Sequence, residues 1–319
     1  MDAKPGSQMA AITPSANSMY LSLVIPCFNE ELAIPLIYSD ISRICTLINE
    51  NFEIIFVDDG SRDNTLNILR QITNQDKHTH YISFSRNFGK EAAILAGLQA
   101  AQGEYIVILD ADGQDPPSLI PQMLETVVYG EFDCAAARRI TRTGDLPVRC
   151  FYALMEKISD IEIIDGAHDF RLINRKYLDV LLILSERNRF SKGIFPWIGF
   201  KTKWFEYENI ERKAGKTKWS LWKLFVYSID GIIAFSTKPL ALISLFGVLL
   251  FFASLIGMAT IVIRKLTMHF PDTGYSSVAC IVLFVGGIQL STIGILGQYI
   301  AKSYIEIKQR PHYVIKEER

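Results

Sequence analysis

The sequence predicts an α/β domain with a mostly parallel sheet, followed by amphipathic interfacial helices and two transmembrane helices. Short β-branched and apolar runs alternate with helical patterns from Leu21 to Ala137, as is typical of βαβ units. Two later stretches, 240–263 and 275–300, contain no charged residue. Each is long enough to cross a bilayer core of about 30 Å.

The alternating region divides into five strands and at least three helices. Buried strands are predicted over residues 21–26, 52–57, 81–85, 105–109 and 133–137. Helices are predicted over residues 30–49, 63–75 and 89–101. We expect Ser61 or Asp63 to cap the second helix, and Pro116 and Pro117 to occupy the first turn of a further helix.

Composition divides the chain into five segments. Residues 1–19 lack a signal-peptide core and predict a disordered tail. We expect a globular domain over 20–212, a basic loop with an interfacial amphipathic helix over 213–238, two membrane spans over 239–301 and a cytoplasmic tail over 302–319. The amphipathic pattern begins with Trp219 and Trp222, although plain helix packing would also explain these tryptophans.

Overall charge and cysteine content exclude several function classes. The formal net charge of −1 gives no basic field and argues against nucleic-acid binding. The five cysteines form no CxxC pair, which argues against a zinc site and against a disulfide framework. No GxGxxG follows the first strand and no GxxxxGK[ST] occurs, so nucleotide binding would need other groups.

Acidic residues follow the predicted strands at the edge where parallel sheets bind ligands. Asp58 and Asp59 follow one strand, and Asp110 and Asp112 follow another. Residues two apart in a strand face the same way, so the second pair needs a cation between its carboxylates. Mg²⁺ or Mn²⁺ suits such oxygen ligands and shares its other sites with phosphates. The alternative is a solvated polar loop.

Basic residues then crowd into a short stretch. Four arginines lie within twelve residues: Arg138, Arg139, Arg142 and Arg149. They form either a plain surface loop or a site for a phosphate-bearing substrate. With a metal site and a membrane anchor, they favour a reaction between a nucleotide sugar and a lipid. An alcohol acceptor would need a general base, whereas a phosphate acceptor needs cations, which this chain supplies.

Four ordered motifs carry a family resemblance. They are IPCFNE at 25–30, VDDGS at 57–61, SRNFGK at 85–90 and LDADGQDPP at 109–117. They resemble family 2 glycosyltransferases of the Rossmann-like GT-A fold, more narrowly the polyprenyl-phosphate glycosyltransferases such as dolichyl-phosphate mannose synthase and bacterial bactoprenol glucosyltransferases. Segments 168–172, 189–193 and 212–219 with the two spans resemble the bactoprenol branch, and the match covers residues 20 to about 305.

The resemblance implies a role for each matching position. The nucleoside would be held by Pro26, Phe28, Glu30 and Asp59. The metal and the donor diphosphate would be held by Asp110, Asp112 and Gln114, and the donor would also contact Lys90, Arg212 and Lys218. The lipid phosphate would face Arg138 and Arg149. Asp169 would be the third catalytic carboxylate and would orient the sugar or an arginine.

Two departures from family patterns bear on this resemblance. Gly113 stands where the family usually has Leu, which would loosen the loop backbone. The QxxRW motif of processive polysaccharide synthases is absent.

The implied reaction is inverting transfer of one sugar, best assigned as glucose, from a UDP-sugar to undecaprenyl phosphate. The product would serve as a lipid-linked donor for cell-envelope glycan modification. A GDP-mannose or amino-arabinose-type donor, or a non-catalytic nucleotide-sugar-binding scaffold, are the alternatives. We expect an inner-membrane, multi-pass protein with its catalytic domain and both termini in the cytoplasm. Glycines at which the helices of a homo-oligomer could meet are Gly286, Gly287, Gly294 and Gly297.

Overall fold

The computed structural model describes residues 20–48, 51–139, 167–208, 238–267 and 274–319. The strands are β1 (Leu21–Cys27), β2 (Phe52–Asp58), β3 (Thr79–Phe84), β4 (Tyr105–Ile108), β5 (Cys134–Arg139), β6 (Ala167–Asn174), β7 (Thr202–Tyr207) and β8 (Ile315–Glu318). The helices are α1 (Ile34–Ile48), α2 (Thr65–Gln75), α3 (Lys90–Ala100), α4 (Ile120–Tyr129), α5 (Arg175–Ile183), α6 (Ser191–Trp197), α7 (Lys238–Thr267) and α8 (Tyr275–Lys308).

Several expectations fall outside the described residues. They concern the tail 1–19, the segment 213–238 up to its last residue, and the side chains of Arg149, Arg212, Lys218, Trp219 and Trp222.

One mixed sheet organises the domain, with strand order β7-β5-β6-β4-β1-β2-β3-β8. Parallel pairing joins β1 to both β2 and β4, β2 to β3, and β5 to β7. Antiparallel pairing joins β6 to both β4 and β5, and β8 to β3. The predicted α/β class and its parallel strands are confirmed. The strands β6, β7 and β8 were not predicted.

Two hydrophobic cores lie on the two faces of the sheet because successive strand residues point in opposite directions. In β1, Leu23 and Ile25 join the core that includes α1 and α4, whereas Val24 joins the core that includes α3 and α5. Helix α3 approaches β1 closely, since a Cβ at Gly97 would lie 2.3 Å from Val24 Cγ1. The small residues of this helix therefore allow it to pack directly on the sheet.

The predicted helix starts need correction. Helix α1 begins at Ile34 because the preceding residues form a turn, in which the Glu30 amide donates to Thr65 Oγ1 at 2.9 Å. Helix α2 begins at Thr65, and the Asn64 side chain at its N-cap makes no capping bond. Asp63 instead accepts from the Thr65 amide at 3.1 Å. A 3₁₀ turn, Pro117–Leu119, precedes α4.

Strand β8 covers the edge of the sheet next to β3. It lies in the segment 302–319, where the sequence suggested only a tail. Arg70 holds it through two hydrogen bonds to Glu317, at 2.8 and 2.7 Å. The strand satisfies backbone groups that an open edge would expose to other chains.

Helices α7 and α8 contain 30 and 34 residues. Large apolar side chains such as Leu249, Leu290 and Ile293 are more than half exposed on them. Among the described residues, one helical stretch, Phe284–Lys308, is long and apolar enough to cross a membrane, and the apolar stretch Ile243–Gly257 is shorter. One candidate membrane helix is therefore found, and the second span remains a prediction.

Replacement of Gly60 tests how closely the loop after β2 approaches the backbone of Arg86. Its φ is +65°, and a Cβ there would lie 2.4 Å from the carbonyl carbon of Arg86. Gly60→Ala is expected to lower the free energy of unfolding by about 3 kcal/mol, from left-handed strain and backbone overlap together. Chemical denaturation would measure this loss.

Gly199→Ala is the matched control, because Gly199 has a φ of +76° but, beyond its chain neighbours, no atom of the described residues lies within 4 Å of the added Cβ. It should lose about 1 kcal/mol through strain alone. Equal losses in the two variants would contradict the close approach of the Gly60 and Arg86 backbones.

Candidate active site

The candidate site lies at the carboxyl edge of the central strands. Because β1, β2, β3 and β4 run parallel, the loops that follow them share one edge. Antiparallel β6 enters the sheet at this edge, since its Arg171 pairs with Ile108 near the end of β4. This topology brings Asp169, near the start of β6, beside Asp110, which follows β4.

Lys90 joins these two carboxylates. Its Nζ lies 2.7 Å from Asp110 Oδ1 and 2.5 Å from Asp169 Oδ2. Removal from water would lower the pKa of Lys90, but the two carboxylates raise it well above its ordinary value. Lys90 is therefore a cation fixed between the acidic residues, at the first residue of α3. The sequence resemblance had implied only that Lys90 contacts the nucleotide-sugar donor.

Asp169 is buried and remains ionised. Burial acts to raise its pKa, but Lys90 and Lys192 outweigh burial and hold the pKa well below its usual range. Its backbone carbonyl accepts from Arg171 Nε at 3.4 Å. Its Oδ1 atom is buried and has no hydrogen-bond partner among the described residues. Such an oxygen is open to a donor group from a bound ligand.

Two further titratable groups, which sequence reasoning did not assign, lie around Asp169. Burial raises the pKa of Glu91 to about 6, and its carboxylate accepts from the amide and hydroxyl of Ser191. Burial, assisted by Arg139 and Lys192, lowers the pKa of His168 to about 3. His168 is thus neutral at physiological pH and adds no positive charge to the site.

The loop after β4 is shaped by Asp112 and Gly113. Asp112 Oδ1 accepts from the Gln114 amide at 3.1 Å, which forms a tight turn. Gly113 sits inside this turn with a φ of +72°. The expectation that glycine merely loosens the backbone is therefore replaced by a conformational reason, because φ values in this region favour glycine.

Asp115 is the buried centre of a second cluster that the sequence did not reveal. Its Oδ1 accepts from the Tyr207 hydroxyl at 2.7 Å and lies 3.9 Å from Arg139 Nη2. The same Arg139 nitrogen lies 3.3 Å from Gln114 Oε1. Burial and the nearby Asp110 raise the pKa of Asp115 to about 7.

Neighbouring arginines in β5 diverge. Arg139 reaches the Asp115 cluster, whereas Arg138 donates to Glu206 Oε1 from Nε at 3.1 Å and from Nη2 at 2.5 Å. Strand alternation sends adjacent side chains to opposite faces, which is the signal that could have separated the two residues. The lipid-phosphate role of Arg138 stays a prediction.

The four residues expected to hold a nucleoside lie at the ends of β1 and β2 or in the loops that follow them. Pro26 is in β1, and Phe28 and Glu30 are in the loop that follows it. Asp59 accepts from the amides of Phe88 at 2.6 Å and Gly89 at 2.9 Å, so it fixes the loop before α3. Burial raises the pKa of Asp59 although these amides act to lower it.

Comparison with known families now assigns the chain. The family model described as "Glycosyl transferase family 2" matches residues 22–182, which contain every described site residue except Tyr207, Ser191, Lys192 and Glu206. The chain belongs to glycosyl transferase family 2. The resemblance noted in the sequence motifs is thereby confirmed.

Relatives of this glycosyltransferase match over nearly their whole length. The bactoprenol glucosyl transferase of Shigella phage SfV is 40% identical over 306 residues, covering 94% of this chain and 99% of the relative. A prophage bactoprenol glucosyl transferase homolog of Escherichia coli (strain K12) is 40% identical over 303 residues, covering 93% and 99%. CsbB of Bacillus subtilis (strain 168), provisionally named a glycosyltransferase, is 42% identical over 302 residues, covering 93% and 91%.

The oxygen ligands that the glycosyltransferase offers in the loop after β4 fit a divalent cation shared with a substrate. Among the described residues, no three His, Cys, Asp or Glu side chains are grouped to hold a metal alone. Asp110, whose carboxylate also contacts Lys90, and Asp112 are carboxylates two residues apart, and Gln114 adds an amide oxygen. Magnesium sites of phosphate-processing enzymes commonly take one or two carboxylates and complete the shell with phosphates and water.

Asp115 predicts a pH dependence of stability. Its pKa in the folded glycosyltransferase, about 7, lies above its ordinary value of 3.8. The folded state therefore binds this proton more tightly, and the stabilisation, on the order of 4 kcal/mol, is complete below pH 4 and lost as pH rises through 7. Asp115→Asn, which mimics the protonated side chain, should remove this loss.

The measurement is urea denaturation of both proteins between pH 4 and pH 8 without metal. Relative to the wild type, the variant should gain stability steadily as the pH rises. Asp179→Asn, on the exposed side of α5, should follow the wild-type curve. Parallel curves for wild type and Asp115→Asn would show that Asp115 ionises normally.

Proposed function

We propose that this glycosyltransferase moves one glucose, with inversion, from UDP-glucose to undecaprenyl phosphate and releases UDP. The observation that carries the proposal is the similarity to bactoprenol glucosyl transferases over 93 to 94% of this chain. This similarity includes the long helices α7 and α8 and is not limited to the family 2 domain. A polyprenyl acceptor explains why an α/β catalytic domain is joined to exposed apolar helices.

On the donor side, Asp110, Asp112 and Gln114 would hold Mg²⁺ or Mn²⁺ together with the diphosphate. When bound, such an ion neutralises charge on the leaving diphosphate. The chain's own residues pre-arrange this loop: Lys90 fixes the Asp110 side chain, and the turn at Gly113 fixes Asp112. Pro26, Phe28, Glu30 and Asp59 remain the proposed nucleoside contacts.

On the acceptor side, the reaction needs no strong base. A phosphate monoester is anionic at neutral pH, so positioning cations matter more than proton removal. Asp169 is a poor proton acceptor because Lys90 and Lys192 hold its pKa low. We therefore assign Asp169 to orientation of the sugar through its buried Oδ1, which has no hydrogen-bond partner among the described residues. An alcohol acceptor would require a general base, and the proposed transfer to a phosphate assigns that role to no side chain.

The glycosyltransferase would act at the inner face of the plasma membrane. Phe284–Lys308 is the candidate membrane helix, and α7 would supply the second span. The excess of Lys and Arg after residue 300 supports a cytoplasmic catalytic domain and cytoplasmic termini. Glycines of α8, such as Gly286 and Gly294, would let helices of a homo-oligomer approach closely.

Purified full-length protein, incubated with undecaprenyl phosphate, Mg²⁺ and a panel of labelled nucleotide sugars, tests the donor. UDP-glucose should give the largest chloroform-soluble signal, and chelation of the metal should abolish it. A larger signal from GDP-mannose or an amino-arabinose-type donor would replace the assigned sugar. Absence of transfer from every donor, with nucleotide sugar still bound, would support a binding scaffold and overturn the proposal.

A further inference from the structure

A second concave surface, which we call the basic cleft, adjoins Lys90. It has a volume of about 520 Å³ and lies between the start of α3, the loop before α6, and the end of α8 with the residues that follow it. Its basic side chains are Arg86, Lys90, Arg187, Arg189, Lys308 and Arg310. Among the described residues, Glu91 is the single carboxylate in its lining. The cleft therefore concentrates positive charge.

Among the described residues, the cleft arginines form no ion pair with a carboxylate. Apart from Lys90, none of the six cations lies within 4.0 Å of a carboxylate oxygen in the part of the chain that the structure describes. Arg189 instead donates to the Leu184 carbonyl at 2.6 Å, and Arg187 Nη1 is buried with no hydrogen-bond partner among the described residues. A buried donor on a cation without a partner is costly unless a ligand satisfies it.

Helix α8 is fixed to the catalytic domain at this cleft. Glu306 accepts from the backbone amides of Arg187 at 2.8 Å and Asn188 at 3.0 Å. Lys302 Nζ also donates to Asn188 Oδ1 at 3.0 Å. The end of the candidate membrane helix and the wall of the cleft therefore form one connected structure.

Along α8, the cleft begins at the depth of lipid phosphates. The uncharged stretch of α8 ends at Ile300. Tyr304 and Lys308, which line the cleft, follow it by four and eight residues, or about 6 and 12 Å along a helix. Headgroups occupy a layer of roughly 5 to 8 Å outside each face of the hydrocarbon core. Tyr304 therefore lies within this layer, and Lys308 lies beyond it on the side of the catalytic domain.

Resting on the proposed function, we infer that the basic cleft binds the phosphate group of the polyprenyl phosphate acceptor next to Lys90. A phosphate monoester offers several strong acceptor oxygens, which arginine forks match. Arg138, the described arginine suggested for this phosphate by the sequence, has its guanidinium on Glu206. The cleft arginines have no carboxylate oxygen within 4.0 Å among the described residues, and they line the same cleft as Lys90 and the end of the membrane helix.

Arg187→Gln and Arg310→Gln, made separately in the full-length protein, test this inference in lipid–detergent micelles. Each should raise the KM for undecaprenyl phosphate about tenfold, the effect of losing one charge-assisted hydrogen bond. The KM for UDP-glucose should stay within about twofold. Arg187→Lys should recover part of the loss, and thermal midpoints should show that each variant folds.

Arg43→Gln, on the exposed face of α1, is the control and should leave both KM values unchanged. An unchanged acceptor KM in both cleft variants, or a rise confined to the KM for UDP-glucose, would overturn the inference. A wild type that transfers no glucose would count instead against the proposed function.

Calorimetric binding of farnesyl phosphate and inorganic phosphate, which needs no turnover, gives an independent measure. Farnesyl phosphate should bind more tightly than inorganic phosphate, and Arg187→Gln should weaken it about tenfold. Equal affinity for the two would assign the cleft to free phosphate and overturn a lipid role. The result does not depend on the donor sugar, so it separates the cleft from the proposed reaction.

Discussion

Asp112→Asn is expected to lower kcat for sugar transfer by at least about 1,000-fold, equivalent to roughly 4 kcal/mol of transition-state stabilisation. The variant removes one of the two carboxylates proposed to hold the metal and the donor diphosphate. It keeps a side-chain oxygen that can accept from the Gln114 amide, as Asp112 Oδ1 does at 3.1 Å. The loop should therefore keep its shape while its affinity for the cation falls.

Steady-state transfer across a range of Mg²⁺ and Mn²⁺ concentrations measures this effect. The variant should require much higher metal concentrations and should still bind its lipid acceptor. Asp179→Asn, an exposed change of the same chemistry, should have wild-type activity. Metal-independent activity near that of the wild type in Asp112→Asn would remove Asp112 from the site.

Lys90→Gln is expected to lower both the stability of the protein and its kcat for sugar transfer. Without the ammonium, Asp110 and Asp169 would face each other with no cation between them. We expect a loss of about 1 to 3 kcal/mol in stability, a range reduced because Lys90 is partly exposed to water. Misplacement of the two carboxylates should lower kcat about 100-fold.

Denaturation and kinetics of the same preparation test both parts of this prediction. Without the ammonium, the pKa of Asp169 should lie closer to its ordinary value. Both carboxylates of the variant therefore become neutral below about pH 4, and the difference in stability from the wild type should shrink there. Lys201→Gln is the control, because Lys201 forms an exposed pair with Glu131 at 3.1 Å and should contribute little. Equal effects of the two lysine changes would contradict the bridging geometry.

The strands β1 to β5 could be predicted because their apolar runs are local and uninterrupted. Strand β6 could not, since its residues His168, Asp169 and Arg171 read as a polar loop. They are tolerated in a buried strand because partners distant in sequence compensate them: Lys90 contacts Asp169, and Arg171 stacks on Phe195 with its guanidinium carbon 3.4 Å from the ring centre.

In the candidate site too, features set by neighbouring residues could be predicted, and features set by distant residues could not. Asp110 and Asp112 are close in sequence, and their spacing indicated either a shared cation or a solvated polar loop. The contact between Lys90 and Asp169 joins residues 79 positions apart, and no local pattern indicates it. Gly113 looked like a weakness of the loop until its positive φ supplied a reason. Long-range contacts and backbone conformation are thus what the sequence alone left out.

The proposed acceptor is undecaprenyl phosphate, and mass spectrometry of the lipid product identifies the acceptor. Wild-type protein, UDP-glucose and Mg²⁺ are incubated with equal amounts of undecaprenyl phosphate and undecaprenol. We expect one new lipid, undecaprenyl phosphate carrying a single hexose, with undecaprenol unchanged. Glucosylated undecaprenol, or release of free glucose with both lipids intact, would contradict it.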